Sequence, residues 1–311
     1  MKDNIKNCII IYNPVSTGFN KNDIDKIYNT TKHYGLNSDF LKSNYQGNLI
    51  KLVKEADDYN TLIITLGGDG TVSEAYRAYN DIHQKGLYAH IPTGTTNDMA
   101  KNFDIRFKKC DMILNDILNG EEVMFDSYKM NDEIVAYTSV FGYLAHVPYV
   151  TSKNMKKYFG HLGYVLSAFP YIIKTPKKYN ILYETDNNKE VVSCILGAIT
   201  NSKGFAGIDL YKNASLNDGK LELLLVKDAN PKLIASLVKD YLKNDINLKK
   251  YENSLTIDSS SKIKLTFNEN YPDYPIDNDG EKSKQIIDDN KNTITYEVAN
   301  KIKVLKRKIQ R

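Results

Sequence analysis

The stretch TLIITLGGDGTVSEAY, Thr61 to Tyr76, limits the fold more than any other part of the chain. An apolar run of strand length stops at Gly67 and Gly68, Asp69 stands between glycines, and helical spacing resumes from about Val72. Such a run breaking at glycine into a helix is a strand–turn–helix unit. The same texture recurs along the first part of the chain. NCIIIYNP is a short strand, residues 20–34 have helical spacing, NSDFLKS is a second strand and NLIKLVKEA a short amphipathic helix. LYAHIPTG is a further strand, and NDMAKNF opens a further helix. This alternation predicts an α/β domain with a doubly wound, mostly parallel sheet. Ligands of such sheets bind beyond the carboxyl ends of the strands. The polar turns NPVSTG, GGDG and PTGTTND fall there.

From about Phe125 the pattern changes to period-two runs rich in β-branched and aromatic residues, such as IVAYTSVFGYLA, VVSCILGAITN and KLELLLVKD. These predict an antiparallel β domain. Helices are expected over residues 154–174 and from Pro231, and NENYPDYPIDNDGEKS reads as a loop. The expected domains are residues 1–126, residues 127–295, and a basic C-terminal segment, 296–311, packing back on the first domain.

The chain has 311 residues, enough for two ordinary domains, and its 41% hydrophobic and 26% charged residues suit a folded protein. A net charge of +4 is too mild to point to nucleic acid but suits a surface that meets phosphates or anionic lipid. Cys8, Cys110 and Cys194 are far apart, so neither a disulfide framework nor a zinc site is indicated, which fits a reducing cytoplasm. The N-terminus reads as a strand, not a signal peptide, and the apolar stretch His161 to Lys174 is too short to span a bilayer. The expectation is a cytoplasmic or membrane-peripheral protein.

Glycines at 67, 68 and 70 permit close backbone approach, and successive N–H groups at such a turn can converge on an anion. The positive end of the following helix adds to this. A tight turn that needs glycine and nothing more explains the glycines alone. Asp69 favours the phosphate reading, since a carboxylate there makes sense with a divalent cation between it and the phosphates. The P-loop pattern GxxxxGK[ST] does not occur, and GxGxxG fails at Ser73. Asn97 and Asp98 are good helix N-cap residues, so Asp98 is read as a cap or as a functional acid.

NPVSTG, GGDGTVSE and GTTNDMAK, in this order and spacing, resemble the diacylglycerol kinase catalytic-domain family, which includes bacterial lipid kinases and the sphingosine and ceramide kinases. The later TNSKGFAGIDLYKNASLNDGKLELL and DNDGEKS match the same pattern. The resemblance implies an NAD-kinase-like first domain, an antiparallel β-sandwich second domain, and an active site in the interdomain cleft. It implies nucleotide contacts from Asn13, Ser16, Thr17, Gly18, Ser43, Gly67, Gly68, Asp69, Gly70, Thr71 and Thr95. Asp98 matches the acid of GTxND, and Glu281 the proposed general base of DGE. Asp218, helped by the carbonyls of Ser215 and Lys220, matches a structural magnesium site. Ser73, Met99 and Lys282 depart from the usual Asn, Phe and Pro, which touches substrate assignment more than reaction class.

The implied reaction is transfer of the γ-phosphoryl group of ATP, with Mg²⁺, to a lipid hydroxyl, foremost that of diacylglycerol to give phosphatidate. Phosphoryl transfer needs positioning and charge neutralisation more than covalent chemistry. Glycine N–H groups would hold the phosphates, and Asp69 and Asp98 would organise the water shell of the metal. Other acceptors (a sphingoid base, another glycerolipid, NAD) remain open, as does a nucleotide-binding regulator without catalysis. A lipid substrate implies visits to an anionic membrane surface. The stretch 152–178 and the basic tail KIKVLKRKIQR are the candidate contacts, with a core helix as the plainer reading of the former. An exposed β edge in the second domain could support a homodimer.

Overall fold

The computed structural model describes residues 4–95, 97–105, 109–142, 145, 178–205, 208–211, 214–228, 233, 236, 239–240, 247–268, 276–283 and 292–308. The helix expected over 154–174 lies outside these residues, as does most of the one expected from Pro231. The chain divides into two compact units: Met1–Ser127 with Asn300–Arg311, and Tyr128–Ala299.

In the first unit the order is β1 (Asn7–Tyr12), α1 (Asn22–His33), β2 (Asn37–Lys42), α2 (Asn48–Ala56), β3 (Thr61–Gly67), α3 (Asp69–Asn80), β4 (Leu87–Pro92), α4 (Asp98–Asn102) and α5 (Cys110–Leu118). The strands lie in the order β2-β1-β3-β4, all parallel. Every residue of β3 is buried, because helices cover both faces of the sheet and a parallel strand there has no solvent side. Leu62, Ile64 and Leu66 join Cys8, Ile10, Ile27, Ile113 and Leu114 in one core beneath the paired helices α1 and α5. On the other face α2 packs with α3, and Tyr76 and Tyr79 of α3 close on Tyr88 of β4 at ring separations of 6.4 and 5.6 Å. Within that layer Thr65 Oγ1 meets both Tyr88 Oη and His90 Nδ1 at 2.9 Å. Burial pushes the His90 ring down from 6.5 to about 3, so it is neutral.

Chain continuity places the boundary of this unit inside two further strands. One is β5 (Glu121–Met130), which changes unit after Ser127, and the other is the long last strand, Thr293–Lys306, which changes unit after Ala299. The terminal part of that last strand pairs in parallel with β4 through Val304 and Tyr88. Its cations meet groups of the same unit. Lys301 lies 3.2 Å from the buried Asp126, Lys303 Nζ donates to the Lys85 carbonyl, Lys306 meets Asp104 and Glu121, and Arg307 lies 3.3 Å from Asp116. Four of the five described basic residues of KIKVLKRKIQR thus contact groups of their own unit.

The second unit is antiparallel. After β5 come β6 (Glu133–Val135), β7 (Thr138–Gly142), β8 (Tyr179–Glu184), β9 (Lys189–Cys194), β10 (Leu196–Thr200), β11 (Gly204–Phe205), β12 (Ile208–Asp209) and β13 (Leu221–Val226). They are followed by β14 (Leu255–Ser260), β15 (Lys262–Phe267), β16 (Asp277–Asn278), β17 (Glu281–Lys282) and β18, the last strand. One layer runs β14-β13-β10-β7-β16-β17, and in the other β18 pairs β15, which pairs β8, which pairs β9. Alternation decides what faces inward: Leu221, Leu223 and Leu225 of one layer meet Ile263, Leu265 and Phe267 of the other in a shared core. Phe141 and Phe267 contact edge to face across it at 5.4 Å. This is the antiparallel sandwich.

Candidate active site

The parallel registers Tyr12↔Lys42, Tyr12↔Leu66 and Gly67↔Pro92 bring the carboxyl ends of four strands to one edge of the first unit. Three turns meet there, backbone against backbone. Thr93 and Gly94 N–H donate to the Gly67 carbonyl at 2.7 and 3.1 Å, and Gly18 N–H donates to the Thr93 carbonyl at 2.7 Å. Ser16 Oγ reaches the Thr93 carbonyl and lies 2.8 Å from Thr93 Oγ1, while the hydroxyls of Thr17 and Thr95 meet at 3.0 Å. Ser43 N–H donates to the Tyr12 carbonyl at 2.9 Å, so the end of β2 belongs to the same edge. The structure therefore gathers Asn13, Ser16, Thr17, Gly18, Ser43, residues 67–71, Thr95 and Asp98 at one place.

Two of the glycines answer to this crowding. A Cβ on Gly94 would lie 2.5 Å from Gly68 Cα, and one on Gly67 would lie 2.0 Å from Thr71 Oγ1. Gly70 is different: a Cβ there would meet nothing within 4 Å, and its backbone conformation is open to any residue. Packing gives no reason for glycine at position 70.

Helix α3 starts at Asp69, earlier than Val72, so Asp69, Gly70 and Thr71 form its first turn. The Asp69 carboxylate accepts the Met99 N–H at 2.9 Å and so serves the start of α4 from another helix. This alters the reading of the TND segment. Asn97 occupies the N-cap position of α4 with φ 52° and makes no side-chain cap bond. Its amide closes the preceding turn instead, accepting Gly94 N–H at 2.9 Å and donating to the Gly94 carbonyl at 2.6 Å. Asp98 is the first residue of α4 and is buried. Glu74, the last residue of GGDGTVSE, takes the N–H groups of Gly47 and Leu49 at 2.9 and 3.2 Å and caps α2. It fixes the loop that follows β2. Neither Asn97 nor Glu74 stood out as a site residue, although both lie inside the quoted motifs.

In the second unit Glu281 opens β17 opposite Asn278. Asp279 and Gly280 between them have φ of 56° and 86°, the left-handed pair that a two-residue hairpin requires. The buried Asp279 carboxylate accepts three N–H groups, from Ala136, Tyr137 and Thr138, at 2.8, 3.0 and 3.1 Å. The acid of DGE that sequence reasoning passed over thus anchors the turn that presents Glu281. Ser215, Asp218 and Lys220 share one turn, where Lys220 N–H donates to Asp218 Oδ1 at 3.1 Å. Among the described residues no three His, Cys, Asp or Glu side chains converge on a metal position. The donors expected at Asp218 are a carboxylate and backbone carbonyls, hard oxygens that fit Mg²⁺. Cysteines 8, 110 and 194 are all buried and free.

Residues 7–130 match the family model described as diacylglycerol kinase catalytic domain. A diacylglycerol kinase of Bacillus subtilis (strain 168) is 27% identical over 231 residues, 73% of this chain and 75% of that protein. Another from Staphylococcus carnosus (strain TM300) is 26% identical over 234 residues, 72% of this chain and 74% of that protein. A solved chain from Bacillus anthracis str. Sterne superposes with a TM-score of 0.78 at 21% identity, covering 97% of both chains. A second from that strain, named a diacylglycerol kinase, gives 0.73 at 18% identity, again over 97% of both. Among the described residues no helix is long and apolar enough to cross a membrane. Residues 7–130 match the diacylglycerol kinase catalytic domain, and the chain is a kinase similar to those relatives.

Proposed function

We propose that this chain transfers the γ-phosphoryl group of ATP to the hydroxyl of diacylglycerol and so produces phosphatidate. The observation that carries the reading is Gly70, a glycine in the first turn of α3 with open space where a side chain would be. Phosphate oxygens can approach the N–H groups of that turn closely, and the helix end favours their charge. The hydroxyls of Thr17, Thr71 and Thr95 and the amide of Asn13 are the polar groups of the same edge that would orient the triphosphate. Asp69 and Asp98 would organise the water shell of the Mg²⁺ that accompanies ATP and spreads the phosphate charge. Glu281 accepts the proton of the attacking alcohol, so that the oxygen bonds to phosphorus as the bond to ADP breaks. Asp218, with the carbonyls of Ser215 and Lys220, would hold a second Mg²⁺ that braces its turn.

The test is transfer of labelled phosphate from ATP to a panel of diacylglycerol, sphingosine, monoacylglycerol and NAD. Labelled phosphatidate as the main product, abolished by Glu281→Gln in a folded protein, is the expected result. Transfer to another acceptor alone would move the assignment to that acceptor. ATP binding with no transfer to any of them would favour a regulator.

A further inference from the structure

Large apolar side chains exposed to solvent occur at several places, among them Tyr28, Tyr59, Met112, Val191 and Ile257. Within the described residues two of them lie at the carboxyl edge of the parallel sheet: Val15, 85% exposed, and Tyr45, 67% exposed. They stand at matching positions, each three residues beyond the end of its strand, in turns that leave neighbouring strands. Both turns are held firmly. Val15 N–H donates to Asn13 Oδ1 at 3.1 Å, and the turn is tied to Thr93 through Ser16 and Gly18. Beyond β2, Asn44 N–H donates to Asn48 Oδ1 at 3.0 Å, and Glu74 holds Gly47 and Leu49. The fold thus fixes two apolar side chains in water, beside the turns proposed to take phosphates.

We infer that Val15 and Tyr45 grip the purine base of the nucleotide, with the base lying over the end of β2 and the phosphates over the ends of β1, β3 and β4. This rests on the phosphate reading of the α3 turn. Strands stand about 4.8 Å apart, so the ends of β2 and β3 are roughly 10 Å apart, with β1 between them. That is close to the reach of a nucleoside triphosphate from its base to its β-phosphate. A flat base stacked on the Tyr45 ring and packed against Val15 removes apolar surface from water that no described part of the chain covers. Tyr45 then sets affinity for the base and has no part in the chemistry at the γ-phosphate.

Equilibrium binding of Mg–ATP and of inorganic tripolyphosphate to the full chain separates the two ideas. In Tyr45→Ala the affinity for Mg–ATP should fall about tenfold, as loss of one base–aromatic stack does. Tripolyphosphate affinity should not change, and Tyr45→Phe should bind ATP like the wild type. Val15→Ser should weaken ATP in the same selective way. Unchanged ATP affinity in Tyr45→Ala, or equal weakening of ATP and tripolyphosphate, would overturn the base grip while leaving the phosphate site standing. Failure of tripolyphosphate to displace ATP from the wild-type protein would reject the phosphate site itself, and the base grip with it.

Discussion

Asp279 and Glu281 are two residues apart and have opposite kinds of work. Asp279 is buried and takes three backbone N–H groups, so Asp279→Ala would strand those donors. The expected cost is about 3 kcal/mol or more in urea unfolding. Glu281 is half-buried on the hairpin, and Glu281→Gln should unfold like the wild type while losing nearly all turnover. Near-normal turnover in a folded Glu281→Gln protein would discard the base assignment. His90 makes a prediction with a sign. Its ring is held near a pKa of about 3 in the fold, against 6.5 when free, so between those values the unfolded chain binds more protons. Its stabilising effect is complete above 6.5 and declines as the pH falls toward 3. The slope approaches about 1.4 kcal/mol per pH unit. Urea unfolding between about pH 6.5 and pH 5, where carboxylates titrate little, should show this slope in the wild type and lose it in His90→Gln.

At the level of elements, α3 and α4 form a pair joined by Asp69, which begins one and caps the other. Replacing Asp69 with Ala should remove about 1 kcal/mol of stability, as loss of a helix cap does, whereas Asn keeps an acceptor oxygen and should restore it. Turnover should stay low in both if the charge also serves the metal. Stability that is equal in all three proteins would mean the cap is immaterial. The strand–turn–helix repeats were legible because their apolar runs have strand length and end at glycine, and Ile, Leu and Val on a covered sheet leave little choice. What was hidden depends on partners distant in sequence. Nothing near Glu74 signals that it caps a helix starting at Asn48, and nothing near Asp279 signals the N–H groups of residues 136–138. Asn97 looked like a helix cap because Asn commonly is one, yet its left-handed backbone turns the amide back onto Gly94. The site was legible as three motifs. The contacts between them were not, since they are made by backbone groups that every residue shares.

For the molecule as a whole, the proposed action on diacylglycerol requires access to a bilayer. Lys301, Lys306 and Arg307 meet carboxylates of their own unit, and Lys303 donates to a carbonyl there, so these cations are engaged locally. Replacing Lys301 and Lys303 should therefore leave cosedimentation with anionic vesicles, and its salt dependence, unchanged. Binding to anionic vesicles that is lost when Lys301 and Lys303 are replaced would contradict this. The claim on which the rest depends is that triphosphate oxygens rest on the first turn of α3, over Gly70. Calorimetric titration of Mg–ATP into the wild type and Gly70→Ala tests it. A helical Gly→Ala change at an open position should raise stability by about 0.5–1 kcal/mol, so lost binding cannot be blamed on unfolding. Binding that is lost or cut at least tenfold in a protein as stable as the wild type is the predicted result. Unchanged ATP affinity in Gly70→Ala would place the nucleotide elsewhere.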